Sequence, residues 1–205
     1  RDGPMPPARV VHVLRHVCAA LREAHALGLV HRDIKPANVM LCARGGEFDV
    51  VKLLDFGLVH DLGDAAAARL TTPTLLSGTP AYIAPERLRD PLAGDQRVDL
   101  YALGAVAYNL LTGRDLFRGT SGADIVLKAA TEAATAPSAR ATQPIPPELD
   151  ALVLACLAKD PGDRPRDVEA VLAVLDPLAG ADPWTREDAG RWWRERAGRD
   201  GGESL

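Results

Sequence analysis

Two short polar clusters carry the residue types that could do chemistry: His31-Arg32-Asp33-Ile34-Lys35-Pro36-Ala37-Asn38 and Asp55-Phe56-Gly57. Each lies at the end of an apolar, β-rich segment, residues 39–42 and 50–54, with Arg44-Gly45-Gly46-Glu47 between them as a turn. A hairpin built this way brings the carboxylates of the two clusters together, which in outline is a metal and phosphate site. A single Asp or Asn after an apolar segment is more often a turn residue. The conjunction of two clusters flanking one hairpin is what points to chemistry. The glycine pair of the turn is not a phosphate cradle, because no helix follows it.

Further on the chain reads Gly78-Thr79-Pro80-Ala81-Tyr82-Ile83-Ala84-Pro85-Glu86. The pattern H-R-D-x-x-x-x-N, then D-F-G, then this third motif, in that order, resembles Ser/Thr protein kinases and most of all the bacterial kinases of eukaryotic type. Phosphoryl transfer asks little covalent help of a protein. The site must position a hydroxyl, hold Mg²⁺ and neutralise charge on the moving phosphoryl group. The resemblance implies that Asp33 accepts the proton of the substrate hydroxyl and that Lys35 lies beside the γ-phosphate of ATP. It implies that Asn38 and Asp55 hold Mg²⁺ through oxygen, and that Met40 touches the adenine ring. Lys35 at its position favours Ser or Thr over Tyr as acceptor.

The same resemblance extends to supporting residues. Residues 57–86 form an activation segment, with small residues followed by Thr71, Thr72 and Thr74 as phosphosite candidates. Arg32 offers a planar fork to pair with a phosphate ester there. Thr79 is expected to hydrogen-bond Asp33 and Lys35 on the floor where a peptide rests. Glu86 is expected to pair with Arg164, and Asp99, in the pattern Asp99-x-Tyr101-x-x-Gly104, to grip the backbone of the catalytic loop.

Periodicity places helices over residues 7–27, 97–112, 124–134, 147–158, 166–175 and 182–197. The segment 97–112 is apolar on nearly every face and ends at Gly113, which marks a buried central helix. The last helix carries Trp184, Trp192 and Trp193 as apolar contacts, docked on the lobe or leading into a linker. The expected fold is therefore α+β and mainly α: a kinase-like C-terminal lobe, a helical bundle with short β-hairpins carrying the catalytic and Asp55-Phe56-Gly57 loops. Residues 1–180 form the catalytic lobe, 181–197 the C-terminal helix and 198–205 a frayed tail.

At 205 residues, 47% hydrophobic and 25% charged, the chain can bury one sizeable core. A net charge of -4 with signs interspersed gives no footprint for nucleic acid or an anionic membrane. Three widely spaced cysteines argue against a disulfide framework or a zinc site, and fit a cytoplasmic setting. The Gly-rich loop, strand lysine and glutamate partner that kinases carry upstream are absent from these residues, and no lysine precedes Lys35. An upstream lobe is therefore expected in a longer parent, which a segment not present here could anchor to a membrane. The 205 residues alone are expected to bind ATP weakly and turn over negligibly. A catalytically silent kinase-fold scaffold is the alternative, but such proteins typically lose Asp33, Asn38 or Asp55. A small-molecule phosphotransferase would not be expected to carry the peptide-resting motif.

Overall fold

The computed structural model describes residues 3–55, 80–90 and 93–200. Helix α1 (Pro7–Ala26) starts on a proline at its first turn, where a missing N–H costs nothing. It buries Val10, Val13, Leu14, Val17, Cys18, Leu21 and Ala24 along one face. Gly28, at φ 74°, ends it in the left-handed region that glycine adopts freely.

A hairpin follows. Strand β1 (Val39–Arg44) pairs antiparallel with β2 (Glu47–Leu53), opposing Val39 to Leu53 and Cys42 to Val50. Gly45 and Gly46 at φ 61° and 81° make the tight connection, which needs positive φ at both positions. Val39, Leu41, Val51 and Leu53 pack against the core. Met40, on the opposite face, stays 45% exposed rather than joining that core.

Helix α2 (Pro85–Arg89) is a single short turn. Helix α3 (Arg97–Thr112) is buried nearly all round, as its uniform apolarity predicts, and Gly113 caps it at φ 68° with its N–H on the Asn109 carbonyl. Leu100, Leu103, Val106 and Leu111 are at most 2% exposed, and each large apolar side chain buried this way contributes about 1.5–3 kcal/mol. Helix α4 (Gly122–Thr131) is capped by Ser121, whose hydroxyl accepts from the Asp124 N–H. Helix α5 (Pro147–Cys156) packs on α3 where Gly104 allows close approach: a Cβ there would sit 2.7 Å from Cys156 Cβ.

Helix α6 (Val168–Ala181) lies along α1, capped by Asp167. It runs six residues past the predicted end at 175, through Pro177, because Leu178 and Ala179 still find core to pack on. Helix α7 (Arg186–Asp200) starts later than predicted, behind a reciprocal cap in which Asp188 N–H donates to Thr185 Oγ1 and Thr185 N–H to Asp188 Oδ2. The described residues are thus mainly helical, with one two-stranded sheet. No helix among them is long and apolar enough to cross a membrane. Cys18 and Cys156 are buried, and Cys42 on β1 is partly accessible. Burial pushes the Cys156 thiol up to about 12 and that of Cys18 higher still.

Candidate active site

Hydrogen bonds fix the backbone of the loop after Gly28. Asp99, in the first turn of α3 and fully buried, supplies them. Its Oδ2 accepts from the His31 N–H at 2.9 Å and its Oδ1 from the Arg32 N–H at 2.7 Å. His25 Nε2, from the end of α1, donates to the same carboxylate at 2.9 Å. Arg32 is held at φ 64°, a left-handed conformation that costs a residue with a Cβ roughly 1–2 kcal/mol. Arg87, on α2, donates to the Arg32 carbonyl. Burial lowers the Arg87 pKa, and the nearby charge of Arg32 adds to that.

The next residues fix three polar side chains in one place. Ile34, 1% exposed, anchors the loop in the core between Asp33 and Lys35. Lys35 Nζ donates to both Asp33 oxygens, at 3.1 and 2.8 Å. Asn38 Nδ2 donates to Asp33 Oδ2 at 3.0 Å and to the Asp33 carbonyl at 2.8 Å. The Asp33 side chain remains 42% exposed, so its carboxylate is both oriented and reachable.

Asp55 is delivered by β2. The Leu54 N–H donates to the Asn38 carbonyl at 2.8 Å, and His31 Nε2 donates to the Leu54 carbonyl at 2.9 Å. Since His31 Nδ1 also accepts from the Asp33 N–H at 3.3 Å, one imidazole ties both clusters together. Asp55 follows at φ 63° with an exposed side chain.

Oxygen donors for a hard cation are present. Asn38 spends its amide hydrogens on Asp33, which leaves Oδ1 as an acceptor, and the Asp55 carboxylate has no hydrogen-bond partner among the described residues. Magnesium takes oxygen ligands, keeps one or two protein side chains and completes its shell with water and substrate phosphate. The residues present fit that ion.

Glu86 and Arg164 form a two-pronged pair, Nη1 to Oε1 and Nη2 to Oε2, each at 2.7 Å. Arg164 is buried and also donates to the carbonyls of Ala158, Arg97 and Lys159. A cleft of about 500 Å³ lies beside Lys35, with Tyr82, Asn109, Arg114, Asp115 and Arg118 on its other walls. Tyr82 donates to Asp115 at 2.8 Å there. Met40 is on the exposed face of β1, and the Arg32 guanidinium has no ion-pair partner among the described residues. Thr71, Thr72, Thr74, Thr79 and the Phe56-Gly57 end of the second cluster lie outside the described residues.

Sequence reasoning, which reads His25 as a solvated or structural histidine, missed its partner Asp99, and it missed the carboxylate of Asp49. Asp49 sits inside β2 with 1% exposure and accepts from Arg9, Trp184 and Trp193. The signal available was an acidic residue interrupting an apolar strand. Trp184 and Trp193 are therefore hydrogen-bond donors as well as apolar contacts.

The family model described as protein kinase domain matches residues 1–174. The chain is 43% identical over 178 residues to serine/threonine-protein kinase PknL of Mycobacterium tuberculosis, covering 86% of this chain and 42% of that protein. It is 40% identical over 181 residues to serine/threonine-protein kinase pkn3 of Myxococcus xanthus, covering 87% and 33%. It is 38% identical over 182 residues to serine/threonine-protein kinase PknB of Mycobacterium leprae, covering 89% and 28%. The chain thus spans less than half the length of these relatives. Motif order and these similarities agree: the chain belongs to the protein kinase domain family, among the bacterial serine/threonine kinases of eukaryotic type.

Proposed function

We propose that this chain is the substrate-binding part of a protein kinase that moves the γ-phosphoryl group of Mg·ATP to serine or threonine hydroxyls of proteins. The observation that carries the reading is the convergence of Lys35 Nζ and Asn38 Nδ2 on the Asp33 carboxylate, at 2.8 and 3.0 Å. Asp33 orients the acceptor hydroxyl and takes its proton as the new P–O bond forms. Lys35, held beside that carboxylate, is placed to neutralise charge on the phosphoryl oxygens. Asn38 Oδ1 and Asp55 hold the ion, whose chemistry when bound is to offset charge on the phosphates. Met40 is offered to the adenine ring, and the cleft beside Lys35 accepts the peptide.

Around this centre, Asp99 fixes the loop backbone and the Glu86–Arg164 pair fixes the segment before α3. Arg32 is the partner for a phosphate on Thr71, Thr72 or Thr74, and the role proposed for Thr79, outside the described residues, is to hydrogen-bond Asp33 and Lys35. The 205 residues hold no Gly-rich loop to cover the nucleotide, so by themselves they turn over negligibly. The test is phosphate transfer to a Ser/Thr protein by a chain extended upstream through a nucleotide-covering segment. Asp33→Asn is expected to lower kcat at least 10²-fold. Equal transfer by wild type and Asp33→Asn would overturn the reading and leave a scaffold.

A further inference from the structure

Asn38 and Asp55 stand at the two ends of one hairpin, and a two-stranded hairpin is marginal unless something holds it. The α1 side supplies part of the support. The rest comes from α7, which lies beyond the region matched by the family model.

The contact centres on Asp49. Its Oδ1 accepts from Arg9 Nη2 at 2.7 Å and Trp193 Nε1 at 2.8 Å. Its Oδ2 accepts from Arg9 Nε and Trp184 Nε1, both at 2.8 Å. His12 Nε2 donates to its carbonyl at 3.1 Å. A carboxylate offers about four acceptor sites, so this one is fully used by groups from three other parts of the chain. The Arg9 guanidinium lies 3.5 Å from the Trp192 ring centroid, a close cation–π arrangement. One residue earlier, Phe48 packs so closely on Gly190 that a Cβ there would approach it to 3.0 Å. At the turn, Arg186 donates to the Gly46 carbonyl at 2.8 Å.

Asp49 itself adopts φ 53° within a strand, a conformation Asp tolerates but does not prefer. That backbone persists only if its surroundings over-determine it, which these bonds do. From Asp49 the strand runs directly to Leu54, whose N–H holds the Asn38 carbonyl.

We infer that Asp49 is a positioning residue for the ion-holding hairpin, and that the C-terminal segment, Trp184 just before α7 and Trp193 on it, is the brace that fixes it. Asp49 touches no reacting atom. It acts by setting where β2 delivers Asp55 and where Asn38 is gripped. In its magnesium-directed half, this inference rests on the kinase reading above.

Two variants test it: Trp193→Phe, which keeps a ring and loses the N–H, and Asp49→Asn. All three tryptophans of the chain lie in this segment, so their emission reports docking of α7 directly. On the 205-residue chain, Trp193→Phe is expected to red-shift the remaining emission and to speed amide exchange across residues 36–42 and 48–55 about ten-fold. Exchange in α3 should keep its rate. Hairpin exchange unchanged while emission shows an undocked helix would overturn the inference. If Asp49→Asn fails to fold, Trp193→Phe decides alone. In the upstream-extended chain, Trp193→Phe should raise the free Mg²⁺ needed for half-maximal rate about five-fold, with saturating Mg²⁺ restoring the rate. Loss that Mg²⁺ does not relieve would reduce the brace to a structural element and overturn the positioning role. An extended wild-type chain that transfers no phosphate would instead sink the kinase reading, and the exchange result would still decide the brace.

Discussion

Replacing Asp99 with asparagine exchanges one oxygen for an NH₂ group at a carboxylate that accepts three hydrogen bonds. Oδ1 can keep the Arg32 N–H. The new amide then faces the His31 N–H and His25 Nε2, both donors, in a site with no exposure. A hydrogen bond to a charged group is worth about 1.5–3 kcal/mol, and two are lost. His25 can recover one by moving its proton to Nδ1, a buried atom with no partner among the described residues. That move trades one orphan for another, so the net loss is about 3 kcal/mol, a large part of a typical 5–15 kcal/mol. For a chain of this size, 1 kcal/mol moves Tm by about 2–4 °C, so the expected fall is roughly 6–12 °C. Thermal melting followed by circular dichroism measures it. Asp95→Asn is the control: Asp95 takes bonds from Arg97 yet its side chain is 56% exposed. A surface pair of that kind is worth about 0–1 kcal/mol. A fall below about 2 °C for Asp99→Asn, or equal shifts for the two variants, would refute the reasoning that burial decides.

Removing the charge of Glu86 (Glu86→Gln) strands the fully buried Arg164 guanidinium, and loss of one partner of such a pair costs about 3–5 kcal/mol. Urea denaturation should show that loss, with Glu86→Gln/Arg164→Met recovering part of it; an effect below about 1 kcal/mol would contradict the pair's role. For Asp49, burial alone would raise the pKa, but hydrogen bonds from Arg9, Trp193 and Trp184 and the charge of Arg9 carry it below the usual carboxylate range. A depressed folded value means the stabilisation is complete above the unfolded pKa of about 3.9 and is lost as pH falls through the folded one. Tryptophan emission should therefore report undocking below about pH 4, and Asp49→Asn should abolish that acid transition.

Local pattern carried most of the fold. The apolar run over 97–112 and its glycine stop gave the central helix with the same ends the structure shows, because propensity, periodicity and capping agree there. The end of α6 was misplaced because proline is a strong local stop. That stop yields when burial of Leu178 and Ala179 outweighs one missing hydrogen bond. The closeness of Asp33, Lys35 and Asn38 was legible because six consecutive residues of sequence hold them. His25, Asp49 and the Tyr82–Asp115 bond were not, since each acquires its partner only when segments 33 to 144 residues apart meet. The pairing of Asp49 with two indole N–H groups has no local correlate at all: the tryptophans read as grease until a carboxylate is found beneath them.

The three thiols differ in a way that offers a handle. Two of them are enclosed, and with ionisation pushed to about 12 for Cys156 and beyond that for Cys18, neither yields thiolate near neutrality. Cys42 alone is within reach of solvent, across from Val50 on the hairpin. A maleimide dye or spin label added to the unaltered chain should therefore mark one strand, between the arms that bear Asn38 and Asp55, with no engineered cysteine needed.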